Sequence, residues 1–246
     1  MEVIKSLQNN QVKELVKLKQ RKYREAKQEF IIEGAHLLKE AYLHHKIKLL
    51  VTSDLKYNND NLKILYVSEE VMKKISNLQT SSKYLGVCDY FNKEIDFSLN
   101  MVVLDDIQDP GNLGNIMRTS LAFNVTNIIV SKGNVDFYSP KVVQASQGAI
   151  FQLNLLRIDL LPFIELLRVH DYLLIGTSLT KALNLDTYQN SSDKKALFIG
   201  NEGQGLKEEI LAVMDYNYYI SINNIQSLNV GNALAIFLYE FSKKNC

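Results

Sequence analysis

The sequence has no tryptophan, only two cysteines and only three prolines among its 246 residues. Cys88 and Cys246 are too few for a disulfide framework or for a cysteine-based zinc site. No apolar run is long enough to cross a bilayer, and the first residues lack the apolar stretch of a signal peptide. We therefore expect a soluble, cytoplasmic protein that uses no metal and contacts no membrane.

The composition, with 46% hydrophobic and 22% charged residues, is that of a globular protein, which excludes wholesale disorder. The net charge is only +1, but residues 1–50 carry 11 lysines and arginines against six aspartates and glutamates. A basic segment joined to a mildly acidic body favours a polyanionic partner for the basic part. A basic helix that is merely solvated explains the charge pattern equally well.

The N-terminal part reads as a small α/β unit. An apolar stripe interleaved with lysines predicts one helix over residues 10–27. Ser68 is placed to cap a further helix, since its hydroxyl can accept from amides of the first turn. The other predicted elements are strands at 30–32, 49–52, 64–67 and 84–88 and helices at 36–44 and 69–75.

Continuous apolar strands dominate the rest of the chain, which is typical of a parallel sheet buried on both faces. These strands are predicted at 101–104, 127–130, 172–176, 196–200 and 218–220, with helices at 113–123 and 230–241. We therefore predict an α/β protein with an N-terminal domain at 1–92, a linker at 93–100 and a parallel-sheet domain at 101–246.

Polar residues follow the first strand of that domain, at a place where parallel sheets commonly bind ligands. A Pro-Gly pair predicts a turn, Asn112 stands where a helix N-cap is needed, and Arg118 follows in the second helical turn. A purely structural turn is an alternative interpretation. In that case Asn112 only caps the helix and Arg118 pairs with Asp105 or Asp109.

Two later segments are also candidates for a binding site. Residues 200–206 read Gly-Asn-Glu-Gly-Gln-Gly-Leu directly after a buried strand, and their glycines let a ligand approach the main chain. Their spacing fits neither a dinucleotide fingerprint nor a P-loop, and Glu202 favours a neutral or cationic ligand over a pyrophosphate. Residues 220–230 form a polar, asparagine-rich loop suited to the edge of a pocket. Each segment alone is equally compatible with an ordinary loop.

Together, the three segments resemble the SpoU-type RNA ribose 2′-O-methyltransferases of the SPOUT class. Asn112, Gly114 and Arg118 stand as in the first motif of that family. Residues 200–206 resemble its second motif and residues 227–230 its third. Three motifs in this order, at compatible distances, make the resemblance specific.

The resemblance covers essentially the whole chain. Residues 140–149 are similar to the family's intervening segment, and residues 30–34 with the preceding basic helix resemble a small ribosomal-protein-like RNA-binding domain. The family implies a deep trefoil knot in the parallel-sheet domain and a homodimer to which the closing helix contributes. It also implies S-adenosylmethionine as cofactor and RNA as partner, with 23S ribosomal RNA favoured by the two-domain layout.

The resemblance also implies roles for individual residues. Arg118 would be catalytic, either as a base or, as we prefer, as a group that orients the phosphate and stabilises the forming alkoxide, because a guanidinium releases its proton reluctantly. Asn112 would orient the ribose, and Ser227 and Asn229 would position Arg118 and the substrate. The residues expected to bind the cofactor are Thr177, Gly200, Asn201, Glu202, Gly203, Ile220 and Leu228.

Three positions depart from the family pattern. Ser221 stands where proline is usual, Gln144 where arginine is common, and Asn232 where a small or apolar residue is usual. The first would alter the cofactor loop slightly, and the second would remove an RNA phosphate contact. No histidine or cysteine lies in the three motifs, so a conventional nucleophile–base pair is not expected. We expect structural or surface roles for the four histidines, His36, His44, His45 and His170.

Three other functions stay open at the level of sequence. The enzyme could act on transfer RNA instead of ribosomal RNA. The basic N-terminal part and the departures from the family pattern would also fit a non-catalytic RNA-binding protein. An unrelated nucleotide-binding α/β enzyme could use residues 200–205.

Overall fold

The computed structural model describes residues 2–78, 80–91, 94–189, 192–225 and 227–243. The chain divides into two compact units. Unit 1 consists of Met1–Phe91 and Asp136–Phe151, and unit 2 of Asn92–Val135 and Gln152–Cys246. The predicted domain limits at residues 92 and 93 lie outside the described residues, so the division into 1–92, 93–100 and 101–246 stays a prediction.

The chain forms short strands and helices in alternation. The strands are β1 (Val3–Ile4), β2 (Glu29–Glu33), β3 (Ile47–Thr52), β4 (Ile64–Val67), β5 (Tyr84–Asp89), β6 (Met101–Leu104), β7 (Asn127–Val130), β8 (Asn154–Arg157), β9 (Leu173–Thr177), β10 (Leu183–Asn184), β11 (Lys195–Ile199) and β12 (Tyr216–Tyr219). The α-helices are α1 (Asn10–Lys17), α2 (Arg21–Lys27), α3 (Ala35–Leu43), α4 (Glu69–Ile75), α5 (Pro110–Ala122), α6 (Pro140–Ser146), α7 (Leu160–Val169), α8 (Glu208–Leu211) and α9 (Val230–Ser242). No helix within the described ranges is both long and apolar enough to cross a membrane.

Unit 1 is built on a five-stranded mixed sheet in the order β1-β4-β3-β5-β2. β5 pairs antiparallel with β2 and β3, whereas β4 pairs parallel with β1 and β3. Ser68 caps α4 as predicted, since its hydroxyl accepts from the Val71 amide at 3.3 Å. Helices α1 and α4 close one core of this unit, in which the buried side chains include Val12, Leu15, Ile31, Val51, Val71 and Leu85.

The predicted single helix over residues 10–27 is wrong, because the chain forms two helices there. α1 ends at Lys17, and α2 begins at Arg21. The buried Arg24 guanidinium donates to the carbonyl oxygens of Leu18 and Lys19 at 3.0 and 2.9 Å. These carbonyl groups therefore take a side-chain donor instead of the amide four residues later, and the helical ladder stops.

Unit 2 is built on a seven-stranded sheet in the order β10-β12-β9-β11-β6-β7-β8, and every pair in it is parallel. This confirms the predicted parallel sheet. β11 lies between β6 and β9, with Phe198 opposite both Val103 and Gly176. Because all strands run in one direction, the loops that follow β6, β9, β11 and β12 leave the same edge of the sheet.

Helix α5 begins three residues earlier than predicted, and its N-cap differs. The helix starts at Pro110, and the Asp109 carboxylate accepts from the Asn112 amide at 2.8 Å. Proline suits the first helical position because the missing amide hydrogen would have no partner there. The predicted capping role of Asn112 is therefore wrong, and its side chain is available for other contacts.

Candidate active site

A cavity of about 490 Å³ opens at the edge of the unit 2 sheet where the strands end. The ends of β9, β11 and β12, the loops that follow them and one face of α9 form its wall. All seven residues predicted to bind the cofactor line this cavity: Thr177, Gly200, Asn201, Glu202, Gly203, Ile220 and Leu228. Ser227 lines it as well.

The loop after β11 turns back tightly on itself. The main chains of Asn201 and Gly205 exchange two hydrogen bonds, at 3.1 and 2.8 Å. A Cβ atom at Gly200 would lie 2.0 Å from the carbonyl carbon of Gly205, so only glycine fits there. The Asn201 side chain stiffens the turn by accepting from the amides of Gly203 and Gln204. These main-chain and side-chain hydrogen bonds fix the conformation of the loop, which lines the cavity.

A chain of two side-chain hydrogen bonds joins the three sequence motifs. Asn229 Nδ2 donates to Asn112 Oδ1 at 2.8 Å, and Asn112 Nδ2 donates to Glu202 Oε1 at 2.7 Å. Asn229 also caps α9 by accepting from the Gly231 amide at 3.0 Å. The motifs therefore meet at Glu202, which lines the cavity, whereas Asn112 and Asn229 do not line it. The asparagine amides have defined orientations because an ionised Glu202 can only accept.

Arg118 lies on α5 two helical turns beyond Asn112, but it does not line the cavity. Its side chain is exposed, and within the described part of the chain it has no hydrogen-bond or ion-pair partner. The alternative pairing of Arg118 with Asp105 or Asp109 is thus not formed. Asn115 lies one turn before Arg118, and a Cβ at Gly231 would lie 2.4 Å from the Asn115 amide nitrogen. The helical turn of α5 that leads from Asn115 to Arg118 therefore begins beside the first residues of α9.

Two contacts that the sequence did not reveal tie the loop after β6 to the loop after β11. Asn201 Nδ2 donates to the Asp106 carbonyl oxygen at 2.9 Å. Lys207 Nζ lies 3.4 Å from Asp105 Oδ1, and neither oxygen of this buried carboxylate accepts a hydrogen bond from a described residue. The unsatisfied carboxylate makes the lysine partner important, because a buried charge is costly unless it is paired.

Further cavity residues lie outside the segments singled out in the sequence. They include residues after β9, two tyrosines at the end of β12 and an aromatic side chain of α9: Ser178, Leu179, Thr180, Tyr218, Tyr219 and Phe237. Burial raises the pKa of Tyr218, and Tyr216 contributes to the same shift. The Tyr218 phenol therefore remains a proton donor at neutral pH. The rule that ligands bind at strand ends could have identified residues 178–180.

The four histidines, for which structural or surface roles are expected, do not line the cavity. His36 contacts the Gln147 carbonyl oxygen at 3.0 Å, and the ring of His170 stacks on Phe97 with centroids 4.1 Å apart. Cys88 is buried in β5, where burial raises the pKa of its thiol, whereas Cys246 lies outside the described residues. Among the residues that the structure describes, no cluster of histidine, cysteine and carboxylate side chains is arranged to hold a metal ion.

The comparisons with known proteins agree with the geometry. Residues 100–239 match the model of the SpoU rRNA Methylase family, and residues 9–86 match the MRM3-like substrate binding domain. The 23S rRNA (guanosine(2553)-2′-O)-methyltransferase of Bacillus subtilis is 30% identical over 247 aligned positions, which cover 97% of this chain and 98% of the relative.

Two solved structures resemble the whole chain. The rRNA methyltransferase from Sinorhizobium meliloti superimposes with a TM-score of 0.88 at 28% identity, covering 98% of this chain and 97% of that one. The AdoMet-bound rRNA methyltransferase from the same organism gives a TM-score of 0.88 at 27% identity, with the same coverage of both chains. With its family motifs meeting at one cavity and matches along both parts of its length, the chain belongs to the SpoU rRNA methylase family.

Proposed function

We propose that this protein transfers a methyl group from S-adenosylmethionine to a ribose 2′-hydroxyl of 23S ribosomal RNA. The observation that carries the proposal is the hydrogen-bonded chain from Asn229 through Asn112 to Glu202, which joins three distant motifs at the mouth of one cavity. The full-length similarity to a 23S rRNA 2′-O-methyltransferase supports ribosomal RNA as the substrate. No comparable observation favours transfer RNA.

The cavity residues fit S-adenosylmethionine. The volume of the cavity, about 490 Å³, lies within the roughly 300–1,000 Å³ that is typical of sites for small molecules. Ile220, Leu228 and Phe237 offer apolar surface to a purine ring, and the glycine loop exposes main-chain groups for hydrogen bonds. The Glu202 carboxylate at the cavity wall suits a positively charged sulfonium group.

When bound, S-adenosylmethionine would supply an electrophilic methyl group to the ribose 2′-oxygen: the new O–C bond would replace the C–S bond, S-adenosylhomocysteine would leave as a neutral thioether, and the hydroxyl proton would pass to water. The protein must place the hydroxyl in line and stabilise the negative charge that grows on its oxygen. Arg118 supplies a permanent positive charge for that oxygen and for the adjacent phosphate. Asn112 orients the ribose, and Ser227 and Asn229 position the substrate. Neither of the last two hydrogen-bonds to Arg118 among the described residues, so the expected positioning of Arg118 by them is not formed in this structure.

Unit 1 provides the RNA-binding surface in this proposal. Its match to a substrate binding domain supports this assignment, as does the excess of basic residues among the first 50. Several of these basic residues are paired within the protein. Glu14 forms ion pairs with Lys17 and Lys27, and Arg21 pairs with Glu25. The unpaired lysines thus carry most of the attraction to phosphate, and the 2′-hydroxyl itself distinguishes RNA from DNA.

The proposal includes the family's trefoil knot. It is supported by the central place of β11 between β6 and β9 and by the packing of α9 on α5. A crystal structure tests the knot directly. Closing the ends of its traced chain must leave a trefoil, and a trace that pulls straight would contradict this part of the proposal.

The proposal also includes a homodimer in which α9 contributes to the interface. Leu234, Phe237 and Leu238 of this helix are already buried within unit 2, so we assign its half-buried Ala233 and Ile236 to the interface. Light scattering should give twice the mass of one chain. A cytoplasmic location belongs to the same proposal, because bacteria, to which the matched relative belongs, assemble ribosomes in the cytoplasm.

The reaction can be tested with purified protein, S-adenosylmethionine labelled in its methyl group and unmodified 23S ribosomal RNA. We expect label in the RNA, released as a 2′-O-methyl nucleoside on digestion, and none in DNA of the same sequence. Label in a nucleobase, or no label although calorimetry shows bound S-adenosylmethionine, would contradict the proposed reaction.

A further inference from the structure

Unit 1 contains a cavity of its own, of about 360 Å³, whose walls include Tyr42, Tyr57 and Tyr84. We call it the tyrosine pocket. None of its lining residues belongs to the three motifs of the methyltransferase site. Its volume lies near the lower limit of about 300 Å³ for small-molecule sites, which suits a single ring system.

Two of the tyrosine rings are fixed before any ligand arrives. The Tyr84 hydroxyl donates to Asp54 Oδ2 at 2.6 Å, and the Tyr57 and Tyr84 rings meet edge to face with centroids 5.3 Å apart. The Tyr66 hydroxyl donates to the Tyr57 carbonyl oxygen at 2.8 Å and anchors the backbone there. A ligand that enters therefore loses little free energy to ordering these walls.

The third ring, Tyr42, lies on α3 at the edge of the pocket and is 43% exposed. Its hydroxyl makes no hydrogen bond to a described residue. The Tyr42 ring is thus available for stacking, whereas the rings of Tyr57 and Tyr84 are already held in place.

Two polar groups at the pocket have no partner within the described residues. Lys39, three residues before Tyr42 on α3, forms neither an ion pair nor a hydrogen bond there. Asn59 accepts from the Asn61 amide through Oδ1 at 3.0 Å, which leaves its Nδ2 hydrogens free. The Asp54 carboxylate, by contrast, is occupied by Tyr84. Lys39 Nζ and Asn59 Nδ2 can only donate, whereas the Tyr42 hydroxyl can donate or accept.

We propose that the tyrosine pocket binds one unpaired base of the RNA substrate. The base stacks on Tyr42, the Asn59 amide donates to an acceptor on the base edge, and the Lys39 ammonium attracts the adjoining phosphate. Aromatic stacking combined with donors and a nearby cation is how proteins hold single-stranded RNA. An apolar protein side chain would use the rings but neither donor. The inference rests on the proposed function, since that function supplies the RNA.

The direct test uses the full-length protein and a 12-nucleotide single-stranded RNA containing 4-thiouridine. We expect irradiation to crosslink the RNA to peptides that contain Tyr42, Tyr57 or Tyr84. In fluorescence anisotropy, Tyr42→Ala should weaken binding about fivefold or more, as expected for loss of one base stack. Tyr42→Phe should bind like the wild type, and Lys39→Ala should reduce the salt dependence by about one ion.

Tyr216→Ala is the matched control, since Tyr216 is 45% exposed but belongs to unit 2 and does not line the tyrosine pocket. Equal affinities for Tyr42→Ala and wild type, or crosslinks only elsewhere, would overturn the inference. The labelled-methyl assay on the wild type keeps the two proposals separate. Transfer without any effect at Tyr42 overturns the tyrosine pocket alone, whereas crosslinks at the tyrosines without transfer retain it and contradict the reaction.

Discussion

Asn112 donates its side-chain amide to the Glu202 carboxylate at 2.7 Å, across 90 positions of sequence. Asn112 lies in the first turn of α5, and Glu202 lies in the loop after β11. This bond holds Glu202 at the cavity wall, and Asn229 fixes Asn112 in turn. The Glu202 carboxylate thus accepts a hydrogen bond from Asn112 and also places a negative charge at the cavity wall.

The charge of Glu202 should matter more for S-adenosylmethionine than for its neutral, demethylated product. In Glu202→Gln, the amide oxygen can still accept from Asn112, but the negative charge is gone. Because the side chain is exposed, we expect affinity for the cofactor to fall only about twofold to fivefold. Affinity for the product should stay unchanged. Calorimetry with both molecules measures this, and equal losses for the two would show that the charge is irrelevant.

Arg118 should be needed for transfer but not for cofactor binding, since it does not line the cavity. We expect Arg118→Ala to lower the single-turnover rate about 100-fold to 1,000-fold, as removal of a transition-state donor commonly does. The dissociation constant of S-adenosylmethionine should remain unchanged in calorimetry. A variant that transfers methyl groups at the wild-type rate would remove Arg118 from the mechanism.

Gly200 should be irreplaceable on steric grounds. A Cβ there would lie 2.0 Å from the Gly205 main chain, whereas a Cβ at Gly203 would lie 3.5 Å from its nearest neighbour, the Asn201 Oδ1. Gly200→Ala should therefore lower the thermal unfolding temperature by several degrees, because backbone must shift. Gly203→Ala serves as the control for stability alone. Similar unfolding temperatures for both variants would contradict the tight return of the loop.

Arg24 should stabilise unit 1 far more than Arg21, although both lie on α2. The Arg24 side chain is 4% exposed and lies 2.6 Å from Asp136 Oδ2, whereas Arg21 forms an exposed pair with Glu25. Arg24→Ala removes the charged partner of the largely buried Asp136 carboxylate and should cost about 3–5 kcal/mol. Arg21→Ala should cost about 1 kcal/mol or less. Urea unfolding compares the two, and equal costs would refute the structural role of Arg24.

Tyr172 should make stability depend on pH in the alkaline range. Burial, aided by Asp96, raises the pKa of Tyr172 to about 12, and its hydroxyl donates to the Leu99 carbonyl oxygen at 2.7 Å. Since an unfolded tyrosine titrates near pH 10, the stabilising contribution is complete below about pH 10 and is lost as pH rises through 12. Tyr172→Phe has no such proton, so its unfolding free energy should fall less steeply between pH 10 and 12. Parallel curves for both proteins would contradict this.

The parallel sheet could be predicted from local signals in the sequence, whereas the cofactor residues could be predicted only with the family resemblance. Uninterrupted apolar runs identify strands buried on both faces, and glycine-rich or polar segments after such strands identify the ligand-binding edge. The seven cofactor residues were selected from motif resemblance, and all of them line one cavity. Their role in binding the cofactor stays a prediction.

Features that depend on distant side chains could not be predicted. The break between α1 and α2 requires the buried Arg24, whose partner Asp136 lies 112 positions away. The two-residue strands β1 and β10 exist only because β4 and β12 pair with them. The start of α5 was misplaced because Asp109 and Asn112 are both good capping residues, and only the folded chain shows which of them caps. Strands and helices without such competing signals were identified, apart from β8 and α6 to α8.

The most direct test of the proposed reaction is a mass-spectrometric map of ribose methylation on 23S ribosomal RNA from cells with and without this protein. Loss of the protein should remove one 2′-O-methyl group. Wild-type protein should restore that group, and Arg118→Ala should not. Identical methylation maps from both kinds of cell would contradict the assignment of this chain as a 23S ribosomal RNA ribose methyltransferase.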